Sequence, residues 1–127
     1  AGQFPPAKAT GEAALSALDR ANAALGQGKY KEARSVLVKA LKSTPPSVDR
    51  GLLLSSLARI QAALNDIDDA LASLSEASAI EQLPWNLALT VEMARASLCG
   101  RTRDAACFDA SLTKLNAELG VTDKLKF

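Results

Sequence analysis

Three alanines, Ala33, Ala70 and Ala106, stand 37 and 36 residues apart in related surroundings. Four residues after them come Leu37, Leu74 and Ala110, and seven after come Ala40, Ala77 and Thr113. Three before come Tyr30, Ile67 and Arg103, and twelve before come Ala21, Ala58 and Ala94. A period in the middle thirties restricts the fold severely. Each period is one supersecondary unit that cannot bury its own apolar face, so it must stack on its neighbours.

The unit is helical. Leu53, Leu57, Ile60 and Leu64 fall at i, i+4, i+7 and i+11, as do Leu87, Val91, Ala94 and Leu98. Phe108, Leu112, Leu115 and Leu119 form the last such stripe. Alanine and leucine favour helix, while aromatics at 4% and scarce β-branched runs give strands little support. Breaks fall between the stripes. Pro5-Pro6 predicts an irregular leader, and Thr10 an N-cap. Gly26 and Pro45-Pro46 end the first two helices, and Ser47 opens the third. Asp66 is placed to cap the fourth, Pro84 to open the fifth, and Thr102, after Gly100, to cap the sixth. This predicts an all-α chain of six antiparallel helices. Small anchors let paired helices approach to the lower end of about 8–10 Å, and the large residue four positions on fills the gap. An alanine-rich bundle that only mimics a repeat is the alternative.

Gly28, Tyr30, Ala33, Leu37, Ala40 and Pro45 together resemble the second half of a tetratricopeptide repeat. Leu57-Ala58, Ala70, Leu74 and Ala77 resemble a second copy, with Asn65 and Ile67 in place of glycine and aromatic. Met93-Ala94 and Ala106 suggest a degenerate third. The resemblance implies a right-handed α-solenoid of three helix-turn-helix units, about 12–45, 47–82 and 84–119, between a flexible leader (1–11) and a tail (120–127). Tyr30, Ala33, Leu37, Ala40, Ala58, Ala70, Leu74, Ala77, Ala94 and Ala106 are its expected packing positions.

Several function classes are disfavoured. A net charge of +1 gives no nucleic-acid footprint. No run of eighteen apolar residues occurs, so no helical membrane insertion is expected. Histidine is absent, which removes the usual His-based triads and zinc sites, and two cysteines cannot complete a structural zinc site. No phosphate-binding glycine motif appears. A non-enzymatic chain without metal or cofactor is the expectation.

The resemblance places the first helix of each unit along a concave groove. Projection from the anchors puts Leu15, Leu18 and Asn22, then Leu52, Ser55 and Arg59, then Val91 and Arg95 on its floor. Arg59 and Arg95 would hold a carboxylate or carbonyl of a peptide, or pair with nearby acids. Some relatives clamp a C-terminal carboxylate with Lys, Asn and Arg. Asn22 suits such a clamp, whereas Leu18 and Ser56 stand where Lys and Asn are needed. Leu15, Leu18 and Leu25 would leave an apolar surface, and Phe4 of the leader could fold over it.

Cys99 and Cys107 flank the last hairpin joint, where a disulfide or two buried thiols would both fit. A disulfide, with an N-terminus read as processed, suggests a periplasmic or secreted protein; the alternatives are a cut chain and the cytoplasm. The functional expectation is a protein–protein interaction module that binds a partner protein or peptide within a bacterial envelope or secretion assembly. A spacer or oligomerisation segment of a longer solenoid is the other reading. The partner's identity and the oligomeric state stay open.

Overall fold

The computed structural model describes residues 6–119. Among them run six helices and no strand: α1 (Pro6–Gly26), α2 (Tyr30–Leu41), α3 (Val48–Ala63), α4 (Ile67–Ser78), α5 (Trp85–Arg101) and α6 (Ala105–Leu119). Each helix packs on its chain neighbours, and α3 also touches α1 and α5. The result is an all-α, tetratricopeptide-like stack of three hairpins.

α1 starts at Pro6, not after a cap at Thr10 as expected. Proline is at home in a first helical turn, where its missing N–H has no partner to lose. The expected leader therefore loses residues 6–11 to helix. Phe4 and the tail 120–127 lie outside the described residues.

The three hairpin joints share one backbone design. Gly28, Asn65 and Arg103 adopt φ of 74°, 65° and 57°. The next residue's N–H reaches back to Ala24 O, Gln61 O and Cys99 O at 2.8, 2.8 and 2.9 Å. This left-handed helix ending satisfies carbonyls that have no helical partner. Glycine suits the first joint because a Cβ in that region is strained.

Caps differ from expectation at two joints. Ser47 caps α3 by accepting from Arg50 N at 3.2 Å. Asp66 does not cap α4; its carboxylate accepts from Arg34 at 2.9 Å and ties α2 to the next joint. Thr102 ends α5 by donating to Leu98 O and Cys99 O, and Asp104 caps α6 by accepting from Cys107 N at 3.0 Å.

The joints fix the true register. Their spacing is 37 and then 38 residues, so Ala33 and Ala70 correspond to Phe108, not to Ala106, which is exposed. Burial follows the same shift. In α3 the buried residues are Gly51, Leu53, Leu54, Leu57, Ala58, Ile60 and Gln61. Adding 38 gives Leu89, Val91, Glu92, Arg95, Ala96, Leu98 and Cys99, of which five are buried and two, Leu89 and Arg95, half-buried. The alanine match failed because the third hairpin puts a phenylalanine at the small-residue position.

The core is continuous rather than central. Ala14, Ala17, Ala21 and Ala24 of α1 meet Ala33 and Leu37 of α2 and Leu53, Leu57 and Ile60 of α3. Leu54 and Ala58 on another side of α3 join Ala70, Leu74 and Ala77 of α4 and Val91 and Leu98 of α5. α3 thus serves two clusters, and each buried leucine contributes roughly 1.5–3 kcal/mol. Tyr30, expected to pack, is 42% exposed at the edge of α2, whereas Ala40 is half-buried against the first cluster. Arg50 ties two hairpins together: it donates to Leu41 O and Thr44 O at 2.8 and 2.6 Å and pairs with Glu76 at 2.5 Å.

Candidate functional site

The first helices of the hairpins share an open face. In the corrected register its positions are Leu15, Leu18 and Asn22 on α1, Leu52, Ser55 and Arg59 on α3, and Thr90, Met93 and Ser97 on α5. Leu15 is 59% exposed and Asn22 is exposed, while Leu18 is half-buried against the first core cluster. Leu52 and Ser55 are half-buried, and Arg59 is exposed. Met93 is 58% exposed.

Two cavities open between α3 and α5. One, of about 360 Å³, is lined by Leu52, Ser55, Ser56 and Arg59 from α3 and by Asn86, Leu87 and Thr90 from α5. The other, of about 290 Å³, has an apolar floor that includes Ala58, Leu74, Ala94 and Leu98. Its rim carries Ser55, Thr90 and Ser97 hydroxyls and the arginines Arg59 and Arg101. No lining residue of either cavity is acidic. A groove with an apolar floor and a few polar rim groups suits a side chain of an extended or helical peptide.

Two projected floor residues are elsewhere. Val91 is fully buried in the second core cluster. Arg95 is half-buried, donating to Glu92 Oε1 at 2.7 Å and to Ser78 Oγ at 3.3 Å. Both errors come from the misregister of the third hairpin, which anchored on Ala106 instead of Phe108. In their place stand Thr90, Met93 and Ser97, and Ala94 lines the cavity as well as touching the core. The sequence signal for this shift is the aspartate after the second and third left-handed residues, Asp66 and Asp104, which lie 38 apart.

Residues 24–84 match the tetratricopeptide repeat family model. That tetratricopeptide-like segment runs from the end of α1 to the residue before α5, so it holds α2, α3 and α4 entire. No curated protein and no solved structure gives a significant match to the chain. An all-α, tetratricopeptide-like fold of this kind is consistent with a helical-repeat protein-interaction module.

Elsewhere, a disulfide joins Cys99 in α5 to Cys107 in α6, with Cα atoms 5.6 Å apart. Among the described residues, no group of three or more His, Cys, Asp or Glu side chains could hold a metal ion. None of their helices is long and apolar enough to cross a membrane.

Proposed function

We propose that the three hairpins are three tetratricopeptide units, the third diverged, and that they bind a partner protein or peptide along the face shared by α1, α3 and α5. The acid-free opening between α3 and α5 carries this reading. It combines an apolar floor with rim hydroxyls and guanidinium groups, whereas two larger cavities beside α4, of about 710 and 460 Å³, are lined by the acids Glu76, Glu81 and Glu92. Filling the groove tests it. Capture from the native source should recover the partner with the unaltered chain and with Lys39→Trp on the opposite helix row. Ser55→Trp with Ala94→Trp should lose it while keeping its helical circular dichroism. Retention of the partner by the filled groove would overturn the proposal.

The Cys99–Cys107 disulfide supports an oxidising compartment, periplasmic or secreted, and the envelope or secretion role that goes with it. Non-reducing mass measurement on protein from the native source tests this. Two free thiols would contradict export.

A second reading, an architectural segment, rests on α6. Phe108 and Leu112 are 39% and 40% exposed, whereas Ala70 and Leu74 at the same positions of α4 are 0% and 1% exposed beneath the next hairpin. The opposite end is polar at the matching row, with Ser16 and Arg20 exposed where α3 has buried Leu53 and Leu57. Concentration-dependent self-association in sedimentation, abolished by Phe108→Glu with Leu112→Glu, would favour that reading. A monomer at all concentrations would remove it.

A further inference from the structure

The six arginines of the first five helices fall into two groups. Arg34, Arg50 and Arg95 are each ion-paired, to Asp66, Glu76 and Glu92. Arg20, Arg59 and Arg101 have no ion pair or side-chain hydrogen bond among the described residues. Arg20 lies on the exposed outer row of α1. Arg59 and Arg101, from two different helices, line one and the same cavity. The paired arginines bind the hairpins together; the groove pair holds nothing.

We infer that this cavity recognises an acidic–apolar peptide segment: an apolar side chain seated on the floor, flanked by carboxylates held by Arg59 and Arg101. The inference rests on the groove reading above and names its ligand class. The floor supplies the apolar half, through Ala58, Ala62, Leu74, Ala94 and Leu98. The rim supplies positive charge with no acidic residue to neutralise it, so a basic segment would face two unscreened cations. A guanidinium offers a planar fork of donors that fits a carboxylate in two parallel bonds. Ser55 and Ser97 provide hydroxyls for the peptide's backbone along the same rim. Three of the chain's own acids, Asp66, Glu76 and Glu92, are held by the other three arginines.

The probe is a fluorescently labelled peptide of sequence Glu-Glu-Leu-Glu-Glu-Leu-Glu-Glu, with matched peptides carrying Gln or Lys for Glu. Anisotropy titration of the full chain should show saturable binding of the Glu peptide, weakening as salt rises. The Gln peptide should bind roughly tenfold more weakly, and Arg59→Gln with Arg101→Gln should impose a similar loss on the Glu peptide. The Lys peptide should not bind, and Arg20→Gln should change nothing. Equal affinity for the Glu and Gln peptides, no saturable binding of the Glu peptide, or an effect of Arg20→Gln as large as that of the groove pair would each overturn the inference. The two readings fail separately. A native partner lost by the Ser55→Trp, Ala94→Trp variant, yet kept by the Arg59→Gln, Arg101→Gln variant, overturns the ligand class alone.

Discussion

The Ser73 hydroxyl donates to Gln61 Oε1 at 2.7 Å inside the second hairpin, and the residues at the same places in the third are Ser111 and Cys99. The disulfide to Cys107 occupies Cys99, and Ser111 Oγ is buried without a partner among the described residues. A buried polar pair joins α3 to α4; a covalent link joins α5 to α6.

This contrast predicts opposite effects of one substitution. Ser73→Ala should destabilise by about 1 kcal/mol or more, because Gln61 Oε1 loses its buried partner. Ser111→Ala should be neutral or stabilising, by up to about 1 kcal/mol, because it removes an unsatisfied hydroxyl. Urea unfolding of the two variants checks the pair.

Cys99→Ser with Cys107→Ser should lower stability by ~2–3 kcal/mol, the chain-entropy value for so short a loop. The loss should be local. In a stack where each unit contacts only its neighbours, amides of α5 and α6 should exchange faster while those of α1 and α2 keep their protection. Uniform loss of protection across all six helices would contradict this.

Glu92 and Arg95 take the places that Leu54 and Leu57 hold in α3, and Glu92 is only 3% exposed. Removing one partner leaves a buried charge, so Glu92→Leu alone or Arg95→Leu alone should cost ~3–5 kcal/mol. Replacing both with leucine restores the apolar pattern of α3 and should be neutral or stabilising by ~1–4 kcal/mol. Thermal unfolding of the two single variants and the double variant checks it.

Arg103 holds the left-handed conformation that Gly28 holds at the first joint. A side chain there costs roughly 1–2 kcal/mol, so Arg103→Gly should raise the unfolding midpoint and Gly28→Ala should lower it.

The sequence made the first two hairpins readable because Tyr30, Ala33, Leu37 and Ala40 recur as Ile67, Ala70, Leu74 and Ala77, small residues where backbones approach and large ones where gaps open. Leu52, Ser55 and Arg59 were therefore placed together on the open face. The third hairpin hid its register because its packing chemistry differs. Phe108 stands at the small position, Arg95 and Glu92 at apolar ones, and a disulfide takes over from side-chain packing. Matching alanine to alanine then chose Ala106, and Val91 and Arg95 were projected onto the open face at positions that Met93 and Ser97 occupy. The left-handed backbone at Arg103, an unusual residue for that conformation, sets the correct spacing, and the aspartate that follows it, matching Asp66, is its trace in the sequence.

The central claim is that α1, α3 and α5, not the opposite row of helices, form the binding face. Hydrogen-exchange mass spectrometry on the chain with its captured partner tests it most directly. Protection should appear in segments 52–62 and 90–101, which hold the groove residues of α3 and α5. Protection confined to α2, α4 and α6, with those two segments unchanged, would contradict it.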